Sequence, residues 1–150
     1  MSDLTITAAN VLASVNAQKA AGVAGPGVTI TAGESVYKIA NTSPQQFGLS
    51  KLDSGSSAAA NTFAGIALNG ASPGQPVWIA VTDPALVMGA NGAIGDTVYA
   101  SAANAGKVTS TLADLSTTGD VVICLGVVTT ASAGAAAVLN LNPTVGGPHA

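Results

Sequence analysis

The pentapeptide Gly33-Glu34-Ser35-Val36-Tyr37 returns 62 positions later as Gly95-Asp96-Thr97-Val98-Tyr99, and this pair of matching stretches decides the fold. Each stretch opens with a glycine and an acidic residue, as turns do, and continues into a run typical of a β-strand. A second pair, Ala64-Gly65-Ile66-Ala67 and Leu125-Gly126-Val127-Val128, is separated by 61 positions. Because two separate motifs recur in the same order, the sequence predicts an internal duplication.

The duplication divides the chain into repeat units at about residues 28–82 and 90–142. Each unit reads as strand, strand, long loop, strand, turn and strand, with Val, Ile and Thr runs bounded by Gly, Pro, Asn, Asp and Ser. We expect an all-β fold, a small β-barrel or sandwich in which two half-sheets pack about a pseudo-twofold axis. Residues 28–142 are then the β-rich body, 1–27 an N-terminal arm and 143–150 a flexible C-terminal tail.

The arm has apolar residues to bury but belongs to neither repeat. Its Ala-rich residues 8–21 fit either a strand (or extended arm) or a helix, and alternation favours the strand. The stretch Gly22–Gly27 is interpreted as a hinge to the body. We therefore expect the arm to pack on another protomer or on a partner, outside its own barrel. Trp78 is expected in the core or at a subunit interface. The candidate interface residues are Leu4, Ile6, Val11, Val15 and Trp78.

Charge and composition exclude several functional classes. All four basic residues are lysines and the net charge is −3, so the chain cannot neutralise a row of phosphates and nucleic-acid binding is not expected. One cysteine and one histidine cannot form a Cys/His zinc site or a disulfide framework. Charged residues make up 7% of the chain, far below an ordinary soluble surface, which favours association with copies of itself or with a larger assembly.

No combination of side chains predicts catalysis. The only histidine, His149, lies in the tail, and Gly22–Gly27 lacks the Lys-Ser/Thr of a phosphate-binding loop. Glu34 and Asp96 occupy equivalent repeat positions, and turn formation explains them better than a catalytic or calcium-binding pair does. We predict a non-enzymatic protein with no catalytic residues, no cofactor, no metal and no small-molecule substrate.

No membrane contact is expected from the sequence. The N-terminus has neither a basic region nor a compact apolar region, so no secretory signal is predicted. The uncharged stretch from Val121 to Ala150 is interrupted by Gly, Thr, Ser, Asn and Pro residues and has no flanking Lys or Arg anchor, so a soluble protein is expected.

Four short motifs in order resemble those of bacteriophage capsid decoration (cement) proteins, over about residues 28–141. They are Ala32-Gly33-Glu34-Ser35-Val36-Tyr37, then Gly65-Ile66-Ala67-Leu68 with Gly74-Gln75-Pro76-Val77, then Gly95-Asp96-Thr97-Val98-Tyr99 with Gly106-Lys107-Val108, then Leu125-Gly126-Val127. The resemblance implies a small β-barrel-like body, usually trimeric, on the outside of an icosahedral head at threefold or quasi-threefold points. It also implies an N-terminal arm that reaches a neighbouring subunit or the capsid, and it brings no catalytic residues.

The functional hypothesis is therefore a structural protein that binds the phage head and stabilises contacts between major capsid protein subunits. It would act as a homotrimer on the outer surface of the virion, after synthesis in the bacterial cytoplasm. The alternative is a tail-fibre or receptor-binding β module. Exposed aromatics and acidic calcium loops would favour that alternative, and both are sparse in this sequence.

Overall fold

The computed structural model describes residues 3–43, 46–51, 62–115 and 117–148. These residues contain ten strands, two short 3-10 helices (Ala8–Asn10 and Leu112–Leu115) and no α-helix. The all-β expectation is therefore confirmed. The strands are β1 (Val11–Leu12), β2 (Gln18–Ala24), β3 (Ser35–Ser43), β4 (Gln46–Lys51), β5 (Phe63–Ala67), β6 (Pro76–Met88), β7 (Thr97–Ala100), β8 (Val108–Thr109), β9 (Val121–Thr130) and β10 (Val138–Pro148).

Strand β6 is the element common to both halves of the molecule. The strand order is β2-β4-β3-β5-β6-β10-β9-β7-β8, in one nearly closed barrel-shaped sheet. The first part of β6 pairs with β5 and β2, and the second part, from Asp83 onward, pairs with β10 and β1. A strand of 13 residues is long enough to serve both halves in succession.

The first half closes on itself through β2. This strand runs antiparallel to β6, with Ala21 opposite Trp78, and parallel to β4, with Val23 opposite Gly48. The sequence β2-β4-β3-β5-β6 therefore returns to β2. The stretch Gly22–Gly27 is not a hinge throughout, because Gly22 lies inside this paired strand and only the turn from Gly25 to Val28 follows it.

The N-terminal residues lie across the second half of the same chain. The Leu4 N–H donates to the Val108 carbonyl at 2.8 Å, and the Thr7 N–H donates to the Gly89 carbonyl at 2.7 Å. Val11 then pairs with Met88. This placement corrects the expectation of an arm outside its own barrel, because the backbone groups of the segment find their partners in β8, β6 and the residue that follows β6.

The two predicted repeats form the same backbone hydrogen bonds. In each, the turn glycine donates to a carbonyl of the third strand, and that strand donates back to the acidic residue after the glycine. The bonds are Gly33 to Ala67 and Ala67 to Glu34 in the first unit, and Gly95 to Val128 and Val128 to Asp96 in the second. The sequence match therefore has a counterpart in strand pairing, while the pseudo-twofold axis stays a prediction.

One glycine in each unit permits close strand contact. A Cβ built on Gly65 would collide with the Ala80 carbonyl, and one built on Gly126 would collide with the Asn140 carbonyl. Only a residue without a side chain fits where two backbones approach this closely. This close approach explains why both matching motifs, residues 64–67 and 125–128, have a glycine at their second position.

The core consists of two clusters of small and medium apolar side chains. The larger one is built around residues such as Leu86, Ile123 and Leu139, and the smaller one around residues such as Val77 and Ile79. The small average size of these residues matches a barrel with little room inside it. The C-terminal residues belong to the sheet, because β10 continues along β9 as far as Pro148, which pairs with Val121. The predicted flexible tail at 143–150 is therefore wrong for 143–148, and His149 lies outside the described residues.

Candidate protein-interaction surface

Trp78 is the most prominent exposed aromatic side chain of the described residues. It is 53% exposed, although its backbone is held on both sides. The Trp78 N–H donates to Asn69 Oδ1 at 2.7 Å, and the Trp78 carbonyl accepts from the Leu68 N–H at 2.8 Å. Ala21 pairs with it across the neighbouring strand. The indole therefore projects from a rigid backbone.

Asn69 is the residue that fixes this part of the β5–β6 turn. Its Nδ2 donates to the Gly70 carbonyl at 3.0 Å and to the Pro76 carbonyl at 3.1 Å, while its Oδ1 accepts from Trp78. One side chain thus supplies three hydrogen bonds to the backbone around Trp78. Because the turn is already ordered, little conformational entropy is lost when a partner contacts it.

An open groove runs beside Trp78 and encloses about 410 Å³. Leu12, a large apolar side chain, is 66% exposed within it. Exposed apolar side chains gathered in one concave surface mark interaction sites more often than scattered ones do. We refer to this surface as the docking groove, and it is lined by Val11, Leu12, Ala13, Lys19, Leu68, Asn69 and Trp78.

Val15 forms a second exposed apolar feature on the segment that lines the groove. Its side chain is 99% exposed at the tip of a turn in which the Ala17 N–H donates to the Ser14 carbonyl. The buried carboxylate of Asp83 accepts the Ser14 N–H at 2.8 Å and the Ser14 hydroxyl. Val15 is therefore presented by a fixed turn rather than by a loose loop.

The five candidate interface residues fall into two groups. Val11 and Trp78 lie together in the docking groove, and Val15 is exposed outside it. Leu4 and Ile6 instead pack against the larger core cluster of their own chain. Leu4 and Ile6 are partly buried there, and their assignment to an outer interface stays a prediction.

Five groove residues were missed by the sequence analysis. Leu12 and Ala13 lie in the Ala-rich run 8–21, Leu68 ends the motif Gly65-Ile66-Ala67-Leu68, and Lys19 and Asn69 carry no motif of their own. They come from β1 and the residue after it, from β2 and from the β5–β6 turn, so the pairing of β1 and β2 with β6 brings them together. The Asn69-Gly70 pair was the one available signal, because Asn-Gly marks a tight turn.

The two acidic residues of the repeat motifs are used within their own turns. Glu34 Oε2 accepts the Thr31 N–H at 2.9 Å, and Asp96 Oδ2 accepts the Ala93 N–H at 2.9 Å. This geometry confirms the turn interpretation. Within residues 3–43, 46–51, 62–115 and 117–148, no three His, Cys, Asp or Glu side chains are grouped so that they could hold a metal ion.

Comparison of the chain with protein-family models, with curated proteins and with solved structures gives no match. In the described part of the chain, no helix has the length and apolar character needed to span a bilayer. The chain's own surface and its sequence motifs are therefore the basis for a functional proposal.

Proposed function

We propose that this chain is a decoration protein of a bacteriophage capsid, which binds the outer surface of the head and stabilises contacts between major capsid protein subunits. The observation that carries the proposal is the docking groove, with the exposed indole of Trp78 on a rigid strand. The motif resemblance in the two repeats supports the same function.

The groove has the character of a protein-binding site. Tryptophan is among the residues whose truncation most weakens interfaces, by about 2 kcal/mol or more when it sits in a well-packed pocket. Leu12 and Leu68 line the same groove as the indole and would help to exclude water from it once a partner is bound. Lys19 is the only charged side chain that lines the groove, so apolar contact supplies most of the attraction.

The proposed assembly is a homotrimer bound to the phage major capsid protein. Three linked copies of a weak site bind far more tightly than one copy, provided that all three engage at once. The exposed Val15 turn offers an apolar contact outside the groove for a neighbouring subunit. The proposed location is the outer surface of the virion, after synthesis in the bacterial cytoplasm.

The test is electron microscopy of phage heads with and without the chain. Heads with wild-type chain should carry added density at lattice threefolds. Trp78→Ala should lose most of that density, and Trp78→Phe should retain part of it. Leu112→Ala is the matched control, because Leu112 is 52% exposed and lies outside the groove.

Two results would overturn the proposal. If heads carry no added density at a saturating concentration of the wild-type chain, the capsid is not the binding partner. Density on the tail instead of the head would favour the tail-fibre or receptor-binding module.

A further inference from the structure

The two repeats bury equivalent faces to different extents. In the first repeat, Ala32, Gly33 and Ile66 are buried, with Ala32 at 7% and Ile66 at 4% exposure. Their equivalents in the second repeat are exposed. We define the second-repeat face as Ile94, Gly95, Thr97, Val127 and Asn140, of which Ile94 is 71% and Val127 42% exposed.

The residues that cover the first-repeat face are known from the structure. A Cβ built on Gly33 would collide with Cγ2 of Ile6 and lie 3.1 Å from Cγ2 of Val11. Ile66 belongs to the core cluster against which Ile6 packs. Ile6 of the N-terminal segment therefore closes this face at Gly33, while residues of the second half such as Leu86, Val98 and Leu125 cover Ile66.

Among the residues that the structure describes, none lies over Gly95 as Ile6 lies over Gly33. A Cβ built on Gly95 would have no heavy atom within 4 Å. Val127 nevertheless keeps the apolar character of Ile66, and Ile94 is larger and more apolar than its equivalent Ala32. A face that stays exposed to solvent and binds no partner is expected to carry polar side chains at these positions.

We propose that the second-repeat face binds an extended, uncharged segment of a partner protein, with a β-branched apolar side chain placed over Gly95. The first repeat provides the precedent at its turn, because Ile6 of the N-terminal segment lies over Gly33, the equivalent of Gly95. Asn140 and Thr97 offer polar groups at the rim for the backbone of such a segment.

This site is separate from the docking groove. The groove is built by β6, β2, the β5–β6 turn and residues 11–13, whereas the second-repeat face lies on β7, β9, β10 and the turn before β7. The proposal does not depend on the capsid function, because it follows from the comparison of the two repeats.

The test uses a synthetic peptide of residues 4–12, which carry no charged side chain, as the probe and the isotope-labelled full chain as the receptor. Amide chemical shifts of Gly95, Asp96 and Thr97 should move and saturate as the peptide is added. The same peptide carrying Ile6→Asp should leave them in place. The Ile94→Ser/Val127→Ser double variant should weaken binding at least about tenfold, since it removes two central apolar contacts.

The matched control is Val145→Ser, because Val145 has the same 42% exposure as Val127 and lies on β10 away from the Gly95 turn. It should bind the peptide as the wild type does. The proposal is overturned by unmoved Gly95 amides at millimolar peptide. It is also overturned by shifts confined to Gly33 and Gly89, where the peptide would only replace the chain's own segment. Concentration-dependent shifts at Gly95 without peptide would assign the face to self-association instead.

Discussion

The carboxylate of Asp83 is fully buried and accepts hydrogen bonds from both the backbone N–H and the hydroxyl of Ser14. Asp83 lies at the point where β6 changes partners, with Thr82 opposite Gln18 and Asp83 itself opposite Leu141. The Ala85 N–H donates to the same carboxylate at 2.9 Å. One buried acid therefore ties the N-terminal segment to the strand that both halves share.

Replacing Asp83 should destabilise the whole chain. Asp83→Ala leaves three donors without their acceptor, and we expect the free energy of unfolding to fall by about 3 kcal/mol or more. Ser14→Ala removes one of these bonds and should cost about 1 to 2 kcal/mol. Urea unfolding measures both changes. Ser72→Ala is the control, since Ser72 is exposed and its turn is held by the Gln75 side chain and the backbone, so equal losses in both serine variants would contradict the role given to Asp83.

The packing of Ile6 predicts a contrast with Val15. Ile6→Ala removes a side chain that lies over Gly33 and against the core, so unfolding should become easier by about 2 kcal/mol. Val15→Ala should change stability by less than about 0.5 kcal/mol, because Val15 is 99% exposed. Thermal or urea unfolding decides this. A large loss at Val15 with none at Ile6 would mean that the N-terminal segment packs elsewhere.

Deleting residues 1–22 should abolish cooperative unfolding. The deletion removes most of β2, which pairs with both β4 and β6, and it exposes the core beneath Ile6. A segment that only reached a neighbouring subunit would leave the body folded. Circular dichroism during heating separates these outcomes, with a sharp transition in the truncated chain contradicting the internal role of the segment.

The sequence was sufficient to predict the class of fold and the repeated turns. A glycine followed by an acidic residue is typical of a turn, and Gly33-Glu34 and Gly95-Asp96 both have this pattern. It was insufficient for β2, whose run Gln18–Ala24 has few of the β-branched residues typical of strands. Pairing on both sides holds that run extended, so tertiary contacts override local preference. Residues 143–148 were misread as a tail because prolines and glycines conceal their pairing with β9.

The interaction surface could be predicted only in part. Trp78 and Val11 were identified by their apolar character, which is visible residue by residue. Lys19 and Asn69 join them through the register of β2 on β6 and the geometry of the β5–β6 turn. Neither register nor turn geometry is encoded in a short motif, so a single sequence does not reveal such a surface.

Gly126→Ala should be far more harmful than an alanine at an open glycine. The new Cβ would meet the Asn140 carbonyl of β10, and the strands must separate to admit it, at a cost of about 3 kcal/mol. Gly134→Ala is the control, because its nearest contact would be Ser132 Oγ at 3.8 Å. Equal stability of the two variants in urea unfolding would contradict the close approach of β9 and β10.

Trp78 is the only tryptophan of the chain, so its fluorescence reports directly on the docking groove. In the free chain the indole is 53% exposed, and we expect emission near that of a solvated indole with easy quenching by acrylamide. Binding through the groove should shift the emission to shorter wavelength and reduce quenching, because apolar contact replaces water. Asn69→Ala removes three hydrogen bonds to the backbone of Gly70, Pro76 and Trp78 and should weaken partner binding without changing the apolar lining. Unchanged quenching of Trp78 in a chain that is fully bound to heads would place the contact on another surface.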